Sequence, residues 1–223
     1  MSKEVRTIGI VGTGIIATSL AVLTTGHGFK TVVYARSESS AKRCLNDYEN
    51  HWKSMVGHGL ATSEQSEICK TYLVISGDYK DMENAEIVFE SALENPDVKH
   101  DIYHILEEIC LDVKAICSVS SSIVPDVLAE TCEKYGDRII VTHPFNPVHM
   151  VPYFELCGGK NTAPGVIEYV YRLLEELDRK AVIQLVQVIT VLGKDELQIQ
   201  FNYQDEYEKA LALITPVQER MVV

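Results

Sequence analysis

The chain has 223 residues, of which 46% are hydrophobic, and a formal net charge of −12 at pH 7. This length and apolar content suffice for one large domain with its own core, or for one domain with an appendage. The negative charge argues against a nucleic-acid partner, whose phosphates it would repel, and no apolar run approaches the ~20 residues that cross a membrane.

The start of the chain and its cysteines indicate a cellular compartment. Residues 1–4 lead directly into the first predicted strand, so we expect no signal peptide. The six cysteines include no CxxC and no paired spacing, which is typical of reduced thiols in a cytoplasmic protein. No ligand-spaced group of His, Cys or acidic residues occurs in the sequence, so we expect no metal.

A glycine-rich turn follows the first predicted strand, at 7–11, and opens a predicted helix at 14–26. Gly12 allows the tight turn, Gly14 lets the backbone approach a pyrophosphate, and Ala17 lets the helix and the strand pack closely. Free N–H groups at the helix start suit a diphosphate. The order of strand, glycine turn and helix predicts a dinucleotide site. Its predicted contacts here are Gly12, Thr13, Gly14, Ile15 and Ile16.

The second predicted strand, at 30–35, leads into Arg36 and Ser37. NAD-binding proteins usually carry an Asp or Glu at this point, which bonds the ribose hydroxyls. An arginine and hydroxyls instead suit a 2′-phosphate and indicate NADP. Alternatively, Arg36 stacks on the adenine and Glu38 serves the ribose, in which case the cofactor is NAD. The sequence leaves both cofactors open.

Further along the chain, predicted helices and strands alternate. They are a helix at 39–58, a short helix from 62, a strand at 72–76, a loop or short helix at 79–84, a strand at 86–90, a helix at 97–111, a strand at 114–118, a helix at 124–135, strands at 138–142 and 153–157, and an amphipathic helix at 163–177. This alternation predicts a Rossmann-type α/β fold with a doubly wound, mainly parallel sheet. We assign residues 1–183 to this domain and 184–223 to a short C-terminal appendage.

A histidine stands at the end of a β-branched strand in the segment Thr142-His143-Pro144. The proline is predicted to stop the ladder there, and ligands bind at the carboxyl ends of strands in an open α/β sheet. Glu155, on the next apolar segment, is predicted to fold back onto the imidazole. A carboxylate at one ring nitrogen leaves the other free as a general base. We assign the six other histidines to packing or to the surface: His27, His51, His58, His100, His104 and His149.

Together these motifs resemble the 3-hydroxyacyl-CoA dehydrogenase family over about residues 5–183. The segment 85–99 looks like the family's strand and turn at the nicotinamide half of the cofactor. The loop 118–123 looks like its serine-rich loop, with Val119 in place of an asparagine. The resemblance implies cofactor contacts at Ser91, Glu94, Lys99, Ser121 and Asn146, and catalytic roles for His143, Glu155, Ser121 and Asn146.

The activity that the resemblance implies is NAD(P)-dependent oxidation of the 3-hydroxyl group of a 3-hydroxyacyl-CoA to the 3-keto product. His143 would be the base, Glu155 would orient it, and Ser121 would hydrogen-bond the reacting oxygen. Asn146 would bind the substrate or anchor the nicotinamide end. Related enzymes that act on free hydroxy acids, such as gulonate or carnitine, share the His-Pro motif, so a related 3-hydroxy acid stays open as the substrate.

The sequence departs from the family after Ile183. Family members continue into a helical domain that opens with Pro-Gly-Phe and an Asn-Arg pair, and neither follows here. We expect residues 184–223 to form a strand or two and one helix from about Gln204 to Leu213. The apolar run 183–192 would either extend the sheet or expose an apolar surface that promotes association. We therefore expect a homo-oligomer that binds the dinucleotide well and the acyl substrate poorly. The alternative is a truncated or non-catalytic dinucleotide-binding module that needs a helical partner domain.

Overall fold

The computed structural model describes residues 6–183, 186–193 and 196–201, which belong to two compact units divided between Val182 and Ile183. The first unit is built on an eight-stranded sheet. Its strands are β1 Thr7–Val11, β2 Lys30–Tyr34, β3 Leu73–Ser76, β4 Ala85–Glu90, β5 Ala115–Ser118, β6 Ile139–Pro144, β7 Tyr153–Gly158 and β8 Lys180–Ile183.

The sheet has the strand order β3-β2-β1-β4-β5-β6-β7-β8. The strands from β3 to β6 pair in parallel with their neighbours, and β7 runs antiparallel to β6. The chain therefore builds the sheet outward from β1 in one direction and then, from β4, in the other. Such a switch opens a crevice at the carboxyl ends of the two central strands. The mainly parallel Rossmann-type sheet predicted from the sequence is confirmed.

Helices lie between the strands of this sheet along the chain. They are α1 Ile15–Gly26, α2 Glu38–Gly57, α3 Ser63–Lys70, α4 Pro96–Ile109, α5 Pro125–Leu128 and α6 Pro164–Glu176, and 3-10 turns cover Tyr79–Met82 and Gly136–Arg138. β1 is buried at every residue. The sequence of a strand that is buried on both faces is a nearly continuous apolar run, and this run allowed β1 to be predicted.

The helix predicted at 124–135 is wrong in length, because α5 ends at Leu128. The backbone N–H groups of Glu133, Lys134 and Tyr135 donate to the carboxylate of Glu107 on α4. Burial opposes ionisation of Glu107, but these three hydrogen bonds outweigh it and lower the pKa of that carboxyl. A side chain distant in the sequence thus takes the N–H groups that a longer helix would have used internally.

The second unit contains a two-stranded antiparallel sheet formed by β9 Val186–Gly193 and β10 Glu196–Phe201. Strands were predicted in this part of the chain. The helix predicted from about Gln204 to Leu213 lies outside the described residues. In the part of the chain that the structure describes, no helix has the length and apolar character needed to span a membrane, and no cluster of three or more His, Cys, Asp or Glu side chains is arranged to hold a metal ion.

The loop between β6 and β7 is fastened to α1 through His149. Its backbone N–H donates to Ser19 Oγ at 3.1 Å, and its Nδ1 lies 2.7 Å from the same oxygen. Arg179 donates to the His149 carbonyl at 3.3 Å, and the His51 ring is centred 4.6 Å away. Burial, and after it the charges of His51 and Arg179, lower the pKa of His149 to about 4.

This depressed pKa predicts a loss of stability in mild acid. The unfolded chain protonates His149 near its ordinary pKa of 6.5, whereas the folded chain does so only near 4, so stability falls as the pH drops between these values. We expect His149→Asn to reduce the difference in unfolding free energy between about pH 7.5 and about pH 5, measured by urea denaturation. The same substitution at the exposed His58 is the control. Equal pH dependence in both variants and in the native chain would contradict this assignment.

Candidate active site

The glycine turn lies where β1 ends and α1 begins. Gly12 has φ +118°, and a Cβ at this position would lie 2.5 Å from the carbonyl oxygen of Ser91. The Ser91 N–H in turn donates to the Val11 carbonyl at 2.8 Å, which packs the loop after β4 against the turn. Only glycine fits position 12, because a side chain would collide with backbone and adopt a left-handed conformation.

The start of α1 is open to a ligand. Gly14 is the N-cap residue, no side chain among the described residues caps this helix end, and a Cβ at Gly14 would meet nothing within 4 Å. The exposed Ile15 follows, with Thr13 and Ile16 beside it. Backbone N–H groups at a helix N-terminus favour anions. The predicted contacts at residues 12–16 therefore lie together at the carboxyl end of β1.

Arg36 and Ser37 follow β2, and both are exposed. Ser37 caps α2: its hydroxyl accepts the Ser40 N–H at 3.2 Å, and the Ser40 hydroxyl accepts the Ser37 N–H at 3.1 Å. The Ser37 hydroxyl is thus already engaged in holding the helix, which the sequence did not indicate. Arg36 makes no ion pair or hydrogen bond with any described residue, and its guanidinium remains available at the predicted ribose position.

The serine-rich loop after β5 is held by one carboxylate, that of Glu94. Its Oε1 accepts hydrogen bonds from the Ser120 hydroxyl at 2.5 Å, the Ser121 N–H at 3.1 Å, and the N–H and hydroxyl of Ser122 at 3.2 and 3.0 Å. Burial opposes ionisation, but the hydrogen bonds from Ser120 and Ser122 and the charge of Lys99 outweigh it and lower the pKa of Glu94 to about 2. Glu94 is therefore a charged support for the loop.

Lys99, which the sequence predicts to contact the cofactor, is buried. Its side chain is 1% exposed, and its Nζ lies 2.9 Å from both carboxylate oxygens of Glu90 and 3.4 Å from Glu94 Oε2. Lys99 thus lies behind Glu94 as a support for it, and the predicted cofactor contact of Lys99 stays a prediction. The partner that the sequence analysis missed is Glu90, a fully buried acid at the end of β4. An acid that ends an apolar strand was the available signal.

Three side chains converge at the carboxyl end of β6. His143 Nδ1 lies 3.0 Å from Glu155 Oε2, and His143 Nε2 lies 3.1 Å from Ser121 Oγ. The antiparallel register of β6 and β7 pairs His143 directly with Glu155. The imidazole is about one-third exposed. A carboxylate on one ring nitrogen and a hydroxyl on the other is an arrangement suited to general acid–base chemistry.

The predicted end of β6 at Thr142 is wrong, since the strand continues to Pro144, which pairs with Phe154 on β7. β5 pairs with β6 only as far as Val141, so beyond that residue β6 has a neighbour on one side alone. A proline is tolerated in a strand whose N–H side needs no partner. The same gap leaves His143 accessible. Asn146, predicted as a further site residue, is exposed in the loop that follows.

Comparison with known families finds a match over most of the chain. The family described as "3-hydroxyacyl-CoA dehydrogenase, NAD binding domain" matches residues 7–187. The chain belongs to this family. The resemblance inferred from separate motifs is thereby confirmed, and so is the expectation of an NAD-binding domain, while the family description does not address NADP.

Known relatives share this domain at moderate identity. L-carnitine dehydrogenase from Bacillus cereus is 25% identical over 186 residues, which cover 83% of this chain and 56% of that protein. 3-Hydroxyadipyl-CoA dehydrogenase from Escherichia coli is 27% identical over 173 residues, which cover 78% of this chain and 36% of that protein. The chain spans about half the length of the L-carnitine dehydrogenases that it matches.

A solved structure gives the same result. The (S)-3-hydroxybutyryl-CoA dehydrogenase from Ralstonia eutropha superposes with a TM-score of 0.77 at 26% identity, covering 81% of this chain and 64% of that one. The similarity therefore extends over most of the first unit, where the glycine turn, the serine-rich loop and His143 all lie.

The two glycines of the turn should respond differently to an added methyl group. We expect Gly12→Ala to lower the unfolding free energy by about 1–3 kcal/mol, because the Cβ meets backbone at a strained φ. Gly14→Ala is the matched control and should cost less than about 1 kcal/mol, since its Cβ enters open space. Urea denaturation of both variants measures the difference. Equal losses would show that the close approach of Ser91 does not decide the choice of residue.

Proposed function

We propose that this chain is the dinucleotide-binding and proton-transferring part of an NAD-dependent dehydrogenase. Its substrate would be a 3-hydroxyacyl-CoA or a related 3-hydroxy acid, oxidised at the 3-hydroxyl group. The observation that carries the proposal is the contact of His143 with Ser121 on one ring nitrogen and with Glu155 on the other. The glycine turn lies at the same carboxyl edge of the sheet.

The residues present fit a dinucleotide. Gly12 and Gly14 keep the turn free of side chains, and the uncapped N-terminus of α1 offers N–H groups to a diphosphate. When bound, the nicotinamide accepts the hydride from the carbon that carries the hydroxyl group. Ser91, Glu94, Ser121 and Asn146 are the further residues that the family resemblance assigns to the cofactor. In this proposal Glu94 acts by holding the loop that carries Ser121.

The residues of the chain itself then transfer one proton. A secondary alcohol releases hydride only if its O–H proton leaves, and Nε2 of His143 is the acceptor in this proposal. Glu155 holds the ring in place through Nδ1 and stabilises the imidazolium as it forms. The Ser121 hydroxyl, 3.1 Å from Nε2, lies where it can hydrogen-bond the reacting oxygen. In the reducing direction the imidazolium returns the proton.

The class of substrate follows from what the relatives' names share. They include L-carnitine dehydrogenases and dehydrogenases of 3-hydroxyadipyl-CoA and 3-hydroxybutyryl-CoA. Carnitine and these thioesters are chemically different but each carries a secondary 3-hydroxyl group. That shared group is what the His143 site is proposed to recognise. Asn146, which is exposed in the loop after β6, is a candidate contact for the remainder of the substrate.

The compartment and the assembly are further parts of the proposal. All six cysteines are free thiols, and four of them are buried. Unpaired thiols are typical of a reducing environment, which supports the cytoplasm. A homo-oligomer is proposed from the apolar, β-branched run 183–192.

A second candidate function is a dinucleotide-binding module without turnover of its own. It is favoured by the length of the chain, which spans about half of the L-carnitine dehydrogenases that it matches. Steady-state assays with 3-hydroxybutyryl-CoA and with carnitine, each with NAD and with NADP, separate the two. Turnover supports the dehydrogenase, whereas cofactor binding by calorimetry without turnover of either substrate supports the module.

Replacement of the proposed base is the direct test. We expect His143→Gln to lower kcat by roughly 10²–10⁴-fold and to leave the Kd of the cofactor unchanged, because a positioned base contributes to the chemical step alone. His58→Gln, at an exposed histidine directly after α2, is the control. A loss of cofactor affinity as large as the loss of activity would show that His143 has a structural role.

The choice of cofactor is tested at Arg36. If its guanidinium binds a 2′-phosphate, Arg36→Ala should weaken NADP binding by about 1–3 kcal/mol and spare NAD. Arg43→Ala, an exposed arginine on α2, makes the same change in net charge and serves as the control. Equal weakening of both cofactors by Arg36→Ala would leave Arg36 as a neighbour of the adenine and NAD as the cofactor.

A further inference from the structure

A charged pair lies in the interior of the first unit, below the serine-rich loop. Glu90, the last residue of β4, and Lys99, on α4, are both fully buried. The ammonium of Lys99 donates to both carboxylate oxygens of Glu90 at 2.9 Å. Removing two charges from water costs more than their attraction returns unless every remaining hydrogen-bonding site is filled.

Both carboxylate oxygens of Glu90 accept further hydrogen bonds. Besides Lys99, its carboxylate accepts the Ala92 N–H at 2.7 Å, the Tyr103 hydroxyl at 2.9 Å and the Ser118 hydroxyl at 2.8 Å. Burial, and after it the charge of Glu90, raise the pKa of Tyr103 well above its usual value, so this phenol stays a donor. The donors come from the turn after β4, from α4 and from the end of β5.

The buried pair is also connected to an exposed residue, Glu94. Lys99 Nζ lies 3.4 Å from Glu94 Oε2, and the other oxygen of Glu94 accepts all four hydrogen bonds from Ser120, Ser121 and Ser122. A second connection runs through Ser118, whose hydroxyl accepts the Ser120 N–H at 3.4 Å. The buried charges of Glu90 and Lys99 thus support the loop that places Ser121 against His143.

We propose that Glu90 and Lys99 are positioning residues, which act through Glu94 and Ser118 to fix the 118–122 loop with the Ser121 hydroxyl against His143. The catalytic part of this inference rests on the proposed function; the structural part does not. Apolar residues of similar volume would serve a core as well as or better than a charged pair. What they could not do is orient a carboxylate beneath a loop of N–H and hydroxyl donors.

The double variant Glu90→Gln/Lys99→Met tests the pair, because it removes both charges and keeps side chains of similar size. Glu168→Gln/Arg172→Met, at an exposed ion pair on α6, is the matched control. We expect amide hydrogen exchange at Ser121 and Ser122 to accelerate about tenfold or more in the first variant, with β1 amides and the control unchanged. Unchanged exchange at these two amides would overturn the proposal, whether or not the chain is active.

Kinetics give the second readout. In a chain that turns over substrate, we expect kcat to fall about tenfold or more while the Kd of the cofactor stays within about threefold. A cofactor Kd that weakens as much as kcat falls would instead mean that Lys99 contacts the cofactor, which overturns the positioning role. A native chain without turnover would contradict the proposed function, and the exchange experiment would still decide the structural inference.

If the double variant does not fold, Glu94→Ala tests the connection through which the pair is proposed to act on the loop. It leaves the buried pair intact and removes the acceptor of the four loop hydrogen bonds. We expect the same acceleration of exchange at Ser121 and Ser122 and a cofactor Kd within about threefold of the native value. Unchanged exchange in this variant would show that the loop holds its position without the carboxylate and would overturn the proposal.

Discussion

The carboxylate of Glu90 is fully buried, so all of its hydrogen-bond partners must come from the protein itself. This requirement constrains the segments that pack around it. Removing one member of a buried ion pair typically costs about 3–5 kcal/mol, because the other charge is left uncompensated. Lys99, Tyr103 and Ser118 therefore have to meet Glu90 in the folded chain. These contacts join the end of β4 to α4 and to the end of β5.

The proposed active site combines three local constraints of different physical kinds at one edge of the sheet. Steric exclusion by Ser91 sets the glycine turn at Gly12. Electrostatics sets the serine-rich loop through Glu94. Strand pairing sets His143 opposite Glu155. Each of these three constraints acts between residues of the first unit.

Much of this could be predicted from the sequence, and the failures have a common cause. The order of strands and helices, the glycine turn and the contact of His143 with Glu155 follow from patterns local in the chain. The buried position of Lys99 does not, since it depends on partners from segments far apart in the sequence. The short α5 has the same origin, because Glu107 takes N–H groups that local propensity assigned to a helix. Propensity describes a segment by itself, whereas buried polar groups are satisfied by whichever segment reaches them.

The register between β6 and β7 also determines which sequence changes such a site tolerates, in evolution or in protein engineering. Successive residues of a strand face opposite sides, so a shift of one residue would turn Glu155 away from the imidazole. The loop at 145–152 joins the two strands without setting the distance between His143 and Glu155, because the ladder does that. Insertions, deletions and new side chains in this loop can therefore occur while His143 and Glu155 keep their geometry. Under the proposed function, such changes would alter which alcohol the site admits.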